Sequence, residues 1–234
     1  MAAAAAAAQP VTIEVESGER VSGLLQSTPG ARACYVLAHG AGAGMAHHFM
    51  AASARELAQR GVATLRYNFP YMDKGSKRPD SPKLAQATVR AAVAHASRLL
   101  PRIALFAGGK SFGGRMTSQA QAAAPLPGVR GLPFLGFPLH APGRPSDERA
   151  QHLYEIRIPM LFLQGTRDEF ADFSLLEPVI GRLGAHASLV KFEDANHSFH
   201  VPARTGRTDA QIMSALLDTL VDWIDAVLAS RKAG

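Results

Sequence analysis

The sequence predicts an α/β fold: a mostly parallel central sheet with helices on both faces, preceded by an N-terminal β-hairpin. Three observations carry this. Short apolar runs such as Ala33–Ala38 and Met160–Leu163 have the continuous pattern of strands buried on both faces. Segments with apolar residues three and four apart, as in an amphipathic helix, fall between such runs. No internal repeat or Ser/Gly-rich linker breaks the alternation, so residues 11–234 read as one domain behind a low-complexity segment at 1–10.

Taken in order, Val11–Val15 alternates, Ser17 and Gly18 turn, and Val21–Leu25 returns, which makes the hairpin. After Pro29 and Gly30, Ala33–Ala38 is the first buried strand. A glycine-rich loop follows, then a helix with Met50, Ala54 and Leu57 on one face, closed by Gly61. Val62–Tyr67 is the next strand. Ser81 and Pro82 open a helix as cap and first-turn residue, with Val89, Val93, Ala96 and Leu100 on its inner face. Ile103–Ala107 is a strand and Arg115–Ala124 a helix. Leu132–Phe137, Met160–Leu163 and Ser188–Phe192 are three more strands. Pro133 cannot donate to a ladder, so either its strand starts after it or a bulge absorbs it. The last helix opens with the capping box Thr208-Asp209-Ala210-Gln211 and buries Met213, Leu216, Leu220, Trp223 and Val227.

Composition narrows the function. Apolar residues make up 47% of 234, enough for a full core, yet no run approaches the ~20 residues of a membrane helix. No membrane partner is expected. The Met1–Ala8 alanine run has no basic or Leu-rich part, so it does not read as a secretory signal. The single cysteine, Cys34, lies in an apolar stretch; it fits a buried thiol and a cytoplasmic protein without disulfides. The net charge of +6 is scattered rather than gathered into a basic patch, so it argues for solubility and no nucleic-acid partner is expected. No clustered ligands suggest a metal, and no cofactor is implied.

Gly109-Lys110-Ser111-Phe112-Gly113 can be read as the end of a phosphate-binding loop or as the G-x-S-x-G turn that presents a nucleophilic serine. The phosphate loop needs a glycine at position 104, where Ala104 sits inside a strand, so that reading fails. The serine turn needs a strand before it and a helix after it, and has both. A serine hydroxyl also needs a base, and the base an orienting acid, in the chain order serine, acid, histidine, each just past a strand. Asp168 and His197 satisfy this; Glu169, Asp172 and Asp194 are the other acids in reach. The loop His39-Gly40-Ala41-Gly42 after the first buried strand is placed to supply an oxyanion donor, so the N–H groups of Ala41 and Phe112 are the candidates. His39 reads as a brace for that loop, and His47, His48 and His95 as helix residues. Lys110 reads as one half of a structural ion pair.

From Tyr35 onward the chain resembles the α/β hydrolases. More narrowly, it is similar to small proteins grouped near dienelactone hydrolases, among them a subunit of a chromatin-acetylating complex and a testis-expressed relative. The segments that carry this are Leu37–Gly42, Asn68–Met72, Gly108–Arg115, Gly136–His140 and Gln164–Asp168. Dienelactone hydrolases proper use cysteine where this chain has Ser111, so a lactone substrate does not follow. Relatives insert a helical cap between Phe137 and Ile158; here the segment is too short, which implies no large cap domain and an open cleft. The expectation is a monomeric or homodimeric serine hydrolase acting on a small-molecule acyl ester, with Gly42, Tyr71, His140 and Phe199 contributing to substrate binding. The basic loop Lys74–Lys83 would favour acidic substrates if it bordered the cleft. A thioesterase or peptidase shares the triad, and an interaction module could carry the same fold with an idle site.

Overall fold

The computed structural model describes residues 7–16 and 18–230. Met1–Ala6 of the alanine run and Ser17 of the expected turn lie outside them. One eight-stranded sheet runs through the molecule in the order β1-β2-β4-β3-β5-β6-β7-β8. β1 (Gln9–Glu14) and β2 (Arg20–Gln26) form the antiparallel hairpin, with Val11 opposite Gly23. β1 therefore begins inside the segment set apart at 1–10. β2 also runs antiparallel to β4 (Val62–Tyr67), and every later pairing is parallel.

All six residues of β3 (Ala33–Ala38) and of β4 are buried, as their apolar runs require. Helices α1 (His48–Gln59) and α6 (Asp209–Ser230) cover one face, where Met50 and Leu57 meet Leu216, Leu220 and Ile224. Helices α3 (Pro82–Leu99), α4 (Phe112–Ala123) and α5 (Phe173–Leu183) cover the other, through Val89, Met116 and Leu176. A short helix, α2 (Pro70–Asp73), follows β4. The caps form as their residue types require. Ser81 accepts from the Leu84 N–H, while Thr208 and Gln211 exchange bonds of 2.8 and 3.2 Å at the start of α6. Arg32 grips Asp225 with two bonds of 2.6 and 2.7 Å, and Arg60 reaches Asp218 at 2.7 Å, so α6 is bolted to the sheet and to α1.

β5 (Ala104–Lys110) runs three residues past its expected end, through two glycines that permit close neighbours. A Cβ on Gly108 would stand 1.9 Å from the Pro133 carbonyl oxygen, and one on Gly109 2.3 Å from that of Ala38. Pro133 lies within β6 (Leu132–Leu135), and a bulge absorbs it. Leu105 stands opposite Val129 and Gly109 opposite Phe134, so the β6 side spends one residue more than β5 over this stretch. The Pro133 carbonyl takes the Tyr35 hydroxyl at 2.8 Å.

Between β6 and β7 (Met160–Gly165) the chain makes only loops and one 3-10 helix, Glu148–Glu155, and no separate cap domain. β8 (Ala187–Phe192) closes the sheet. No helix among the described residues is long and apolar enough to cross a membrane, and no group of three or more His, Cys, Asp or Glu could hold a metal ion. Cys34 is fully buried, and burial pushes its thiol up to about 12.

His152, on the 3-10 helix, sits 2.7 Å from Ser118 Oγ of α4. Burial, with the Arg115 guanidinium adding to it, pushes its pKa down to about 4. The unfolded chain takes up this proton first, so the neutral ring stabilises the fold fully above about 6.5 and progressively less as pH falls toward about 4. His152→Gln should therefore destabilise the protein less at pH 4.5 than at pH 7. Urea midpoints at the two pH values measure this, and an undiminished difference would contradict it.

Candidate active site

β5 delivers its chain end into a sharp turn at Ser111, whose φ of 50° and ψ of −116° only a forced turn imposes on a residue with a side chain. α4 begins at the next residue, earlier than the expected Arg115. Strand and helix approach closely because Gly113 has no Cβ; one would lie 2.6 Å from the carbonyl oxygens of both Ala38 and His39. The turn aims Ser111 Oγ at His197 Nε2, 2.8 Å away. His197 Nδ1 in turn meets Asp168 Oδ2 at 2.7 Å. An ionised carboxylate only accepts, so Nδ1 carries the ring proton and Nε2 is free to accept from the serine.

Asp168, just past β7, has a fully buried side chain that accepts three hydrogen bonds. Oδ2 also accepts from Gln164 Nε2 at 2.5 Å, and Oδ1 accepts from the Phe170 N–H at 2.8 Å. The Phe170 ring lies against the His197 ring, with centroids 4.2 Å apart. Of the rival acids, Asp172 caps α5, Asp194 pairs with Arg204, and Glu169 is exposed. The loop carrying His197 is held by Asn196 Oδ1, which accepts from the Ser198 and His200 N–H groups. Asp209, the first residue of α6, accepts from Val201 N–H and His200 Nδ1.

Opposite this loop, the β3–α1 segment is braced from behind. His39 Nδ1 donates to the Gly40 carbonyl at 2.7 Å, and its Nε2 accepts from the Phe69 N–H at 3.1 Å. Burial pushes this ring down to about 4, so it stays neutral in that brace. The Tyr71 hydroxyl accepts from the Gly42 N–H at 3.0 Å. No described residue takes the N–H of Ala41 or of Phe112, the first residue of α4. A cavity of about 410 Å³ opens over Ser111 and His197, walled by Ala41, by His47, His48, Phe49 and Met50 at the start of α1, and by Phe170.

Residues 31–225 match the family described as the alpha/beta hydrolase domain. This chain belongs to the α/β hydrolases. Among solved structures, the α/β hydrolase is similar to a dienelactone hydrolase from Anabaena variabilis (19% identity, TM-score 0.76, covering 96% of this chain and 99% of the other). It is also similar to a lidless α/β serine hydrolase from Xanthomonas campestris (21% identity, TM-score 0.71, covering 92% and 94%). A third is an α/β serine hydrolase homologue from Coxiella burnetii (18% identity, TM-score 0.73, covering 91% and 97%). At these identities the likeness is one of fold.

None of Gly42, Tyr71, His140 and Phe199 walls the cavity over Ser111. Gly42 and Tyr71 spend their polar groups on each other. His140 lies behind Asp168, where its Nε2 accepts from the Asp172 N–H at 2.8 Å. Phe199 is buried, stacked on Phe49 and edge-on to Phe192. Large rings near a site in sequence are drawn into the core when they have apolar neighbours there. The residues sequence reasoning missed, His47 to Met50 and Phe170, come from a helix start and from a loop two residues past Asp168. The one local signal for the former is their position at the end of the Gly-rich loop. The basic loop also stays away from the cavity, and Lys74 pairs with Glu19 at 2.5 Å.

Lys110 departs from its expected structural ion pair. Its Nζ donates to the His197 carbonyl at 2.5 Å and sits 5.5 Å from the centre of the Phe199 ring. Burial, opposed by the charge of Asp168, pushes its pKa down to about 8.

Proposed function

We propose that this α/β hydrolase is a serine hydrolase cleaving small or exposed acyl esters through Ser111, His197 and Asp168. The observation that carries the reading is the unbroken hydrogen-bonded line from Ser111 Oγ through His197 to Asp168, with the serine at the floor of an open cavity. In this mechanism Ser111 Oγ attacks the acyl carbonyl while His197 Nε2 takes its proton. Asp168 holds the ring in the tautomer that can do so and stabilises the imidazolium. The N–H groups of Ala41 and Phe112 hold the oxyanion. Nε2 then returns the proton to the departing alcohol, and a water repeats the sequence to release the acid and restore Ser111.

The cavity lies at the lower end of the roughly 300–1,000 Å³ usual for small-molecule sites, which together with the missing cap supports short acyl groups over long lipids. Ser111 lies open on that cavity rather than plugged by side chains, which favours an enzyme over an interaction module. The segments Gly108–Arg115 and Gln164–Asp168 support kinship with the small dienelactone-hydrolase-like proteins, and the buried lone thiol of Cys34 supports a reducing, cytoplasmic setting. The test is labelling of the purified protein with a fluorophosphonate probe, together with turnover of p-nitrophenyl esters from acetate to dodecanoate. Labelling, with turnover falling as the acyl chain lengthens, is expected. A folded protein that is neither labelled nor active would refute the reading.

A further inference from the structure

We infer that Lys110 is a positioning residue that sets the basicity of His197, its ammonium standing beside the His197–Asp168 bond and opposing the imidazolium. This rests on the hydrolase reading, in which His197 is the base.

Lys110 is the last residue of β5, one position before Ser111, so the strand that presents the serine also fixes the stem of the lysine. The side chain turns back beneath the His197 loop, with Nζ bonded to the His197 carbonyl. The decisive geometry lies at Gly136, which follows β6 with a φ of 70°. A Cβ there would stand 3.0 Å from Lys110 Nζ, 3.5 Å from Asp168 Oδ2 and 3.5 Å from His197 Nδ1. Ammonium, carboxylate and imidazole thus border one small space, which a side chain at 136 would fill. The carboxylate side chain is fully buried, Lys110 is half-buried, and among the described residues no carboxylate stands within ion-pair distance of Lys110.

Full charges a few ångströms apart beside a fully buried carboxylate act on a third. With the ring neutral, the lysine cation and the Asp168 anion balance. A proton on Nε2 adds a second positive charge beside the first, so the cation opposes the imidazolium. It also makes the transient imidazolium a stronger acid toward the leaving group. The lysine, with its pKa near 8, still carries its proton over the range in which a histidine titrates.

The other titratable groups around the ring are engaged elsewhere. Across the cavity, His47 caps α1 and the His48 ring lies tilted against it, centroids 4.2 Å apart. Under β3, His39 braces Gly40 and Phe69. Behind Asp168, His140 bonds Ala141 and Asp172. Along the loop to α6, Asp194 pairs with Arg204 and His200 with Asp209.

The test follows the His197 ring ¹³Cε1 resonance against pH by NMR in the full chain, for wild type, Lys110→Gln and Lys110→Met. The resonance is assigned by its absence from His197→Asn. The midpoint should rise by about one pH unit or more in both lysine variants. The wild-type curve should carry a second, smaller inflection near pH 8, as Lys110 loses its proton, that both variants lack. Glutamine keeps a donor for the His197 carbonyl without the charge, so a purely structural clamp would leave its midpoint at the wild-type value. An unmoved midpoint in folded Lys110→Gln overturns the inference. If neither variant folds, a wild-type curve with no second inflection above the first overturns it instead. The resonance titrates whether or not the protein turns over an ester, so a failure of fluorophosphonate labelling strikes the hydrolase reading alone.

Discussion

Ser111→Ala is expected to abolish fluorophosphonate labelling and lower ester turnover at least about a thousand-fold while leaving the thermal midpoint almost unchanged. Among the described residues Ser111 Oγ has one hydrogen-bond partner, His197 Nε2, and it faces an open cavity. Removing it orphans no buried group, since water can take its place at Nε2. The backbone strain at φ 50° remains, and alanine bears it about as well as serine does. His197→Ala should also lose labelling, because a hydroxyl without a base is a poor nucleophile. Asp168→Asn should lose activity and also stability. Its carboxylate accepts from His197, Gln164 and the Phe170 N–H, and an amide nitrogen in place of Oδ2 would face the Gln164 donor with one of its own. Mass-spectrometric mapping of the labelled peptide, with midpoints by circular dichroism, checks all three. A Ser111→Ala protein that still takes the probe would place the nucleophile elsewhere.

Gly108→Ala should be the most damaging single methyl group in the molecule, costing about 4 kcal/mol or more. The added carbon would lie 1.9 Å from the Pro133 carbonyl oxygen and 3.1 Å from the Tyr35 hydroxyl. Both belong to a fixed arrangement, the β6 bulge and the Tyr35 bond that satisfies it, so neither can withdraw without parting β5 from β6. A domain has about 5–15 kcal/mol in all, so little folded protein should survive at 37 °C. Gly181→Ala, inside α5 with nothing within 4 Å, is the control and should stabilise slightly, by up to about 1 kcal/mol. Chemical denaturation of both decides the matter. Similar midpoints for the two variants would mean that the sheet yields at Gly108 more easily than its backbone contacts allow.

The sheet was legible because its strands are short apolar runs whose burial on two faces leaves a pattern in a single stretch of chain. The serine, acid and histidine were legible for a related reason. Each sits directly after one of those runs, so finding the strand ends located the loops. α5 was not legible: Pro178 lies in its middle and reads as a breaker, yet the proline sits on the exposed side of the helix. The cavity wall was not legible either. Whether Phe199 or Phe49 faces Ser111 depends on how α1, α6 and the His197 loop meet, and no local pattern records that. Lys110 was misread because a lysine suggests an ion pair, whereas the fold gives it a carbonyl and a ring.

The fastening of the His197 loop to α6 has a consequence for heat. Asn196 and Asp209 tie down the residues around the histidine, and α6 is itself bolted through Arg32 and Arg60. The imidazole cannot wander without the last helix lifting from the sheet, and that helix covers much of one face of the core. The site therefore has no melting transition of its own. On warming, its chemistry should persist until the whole domain unfolds, and vanish with it in a single step.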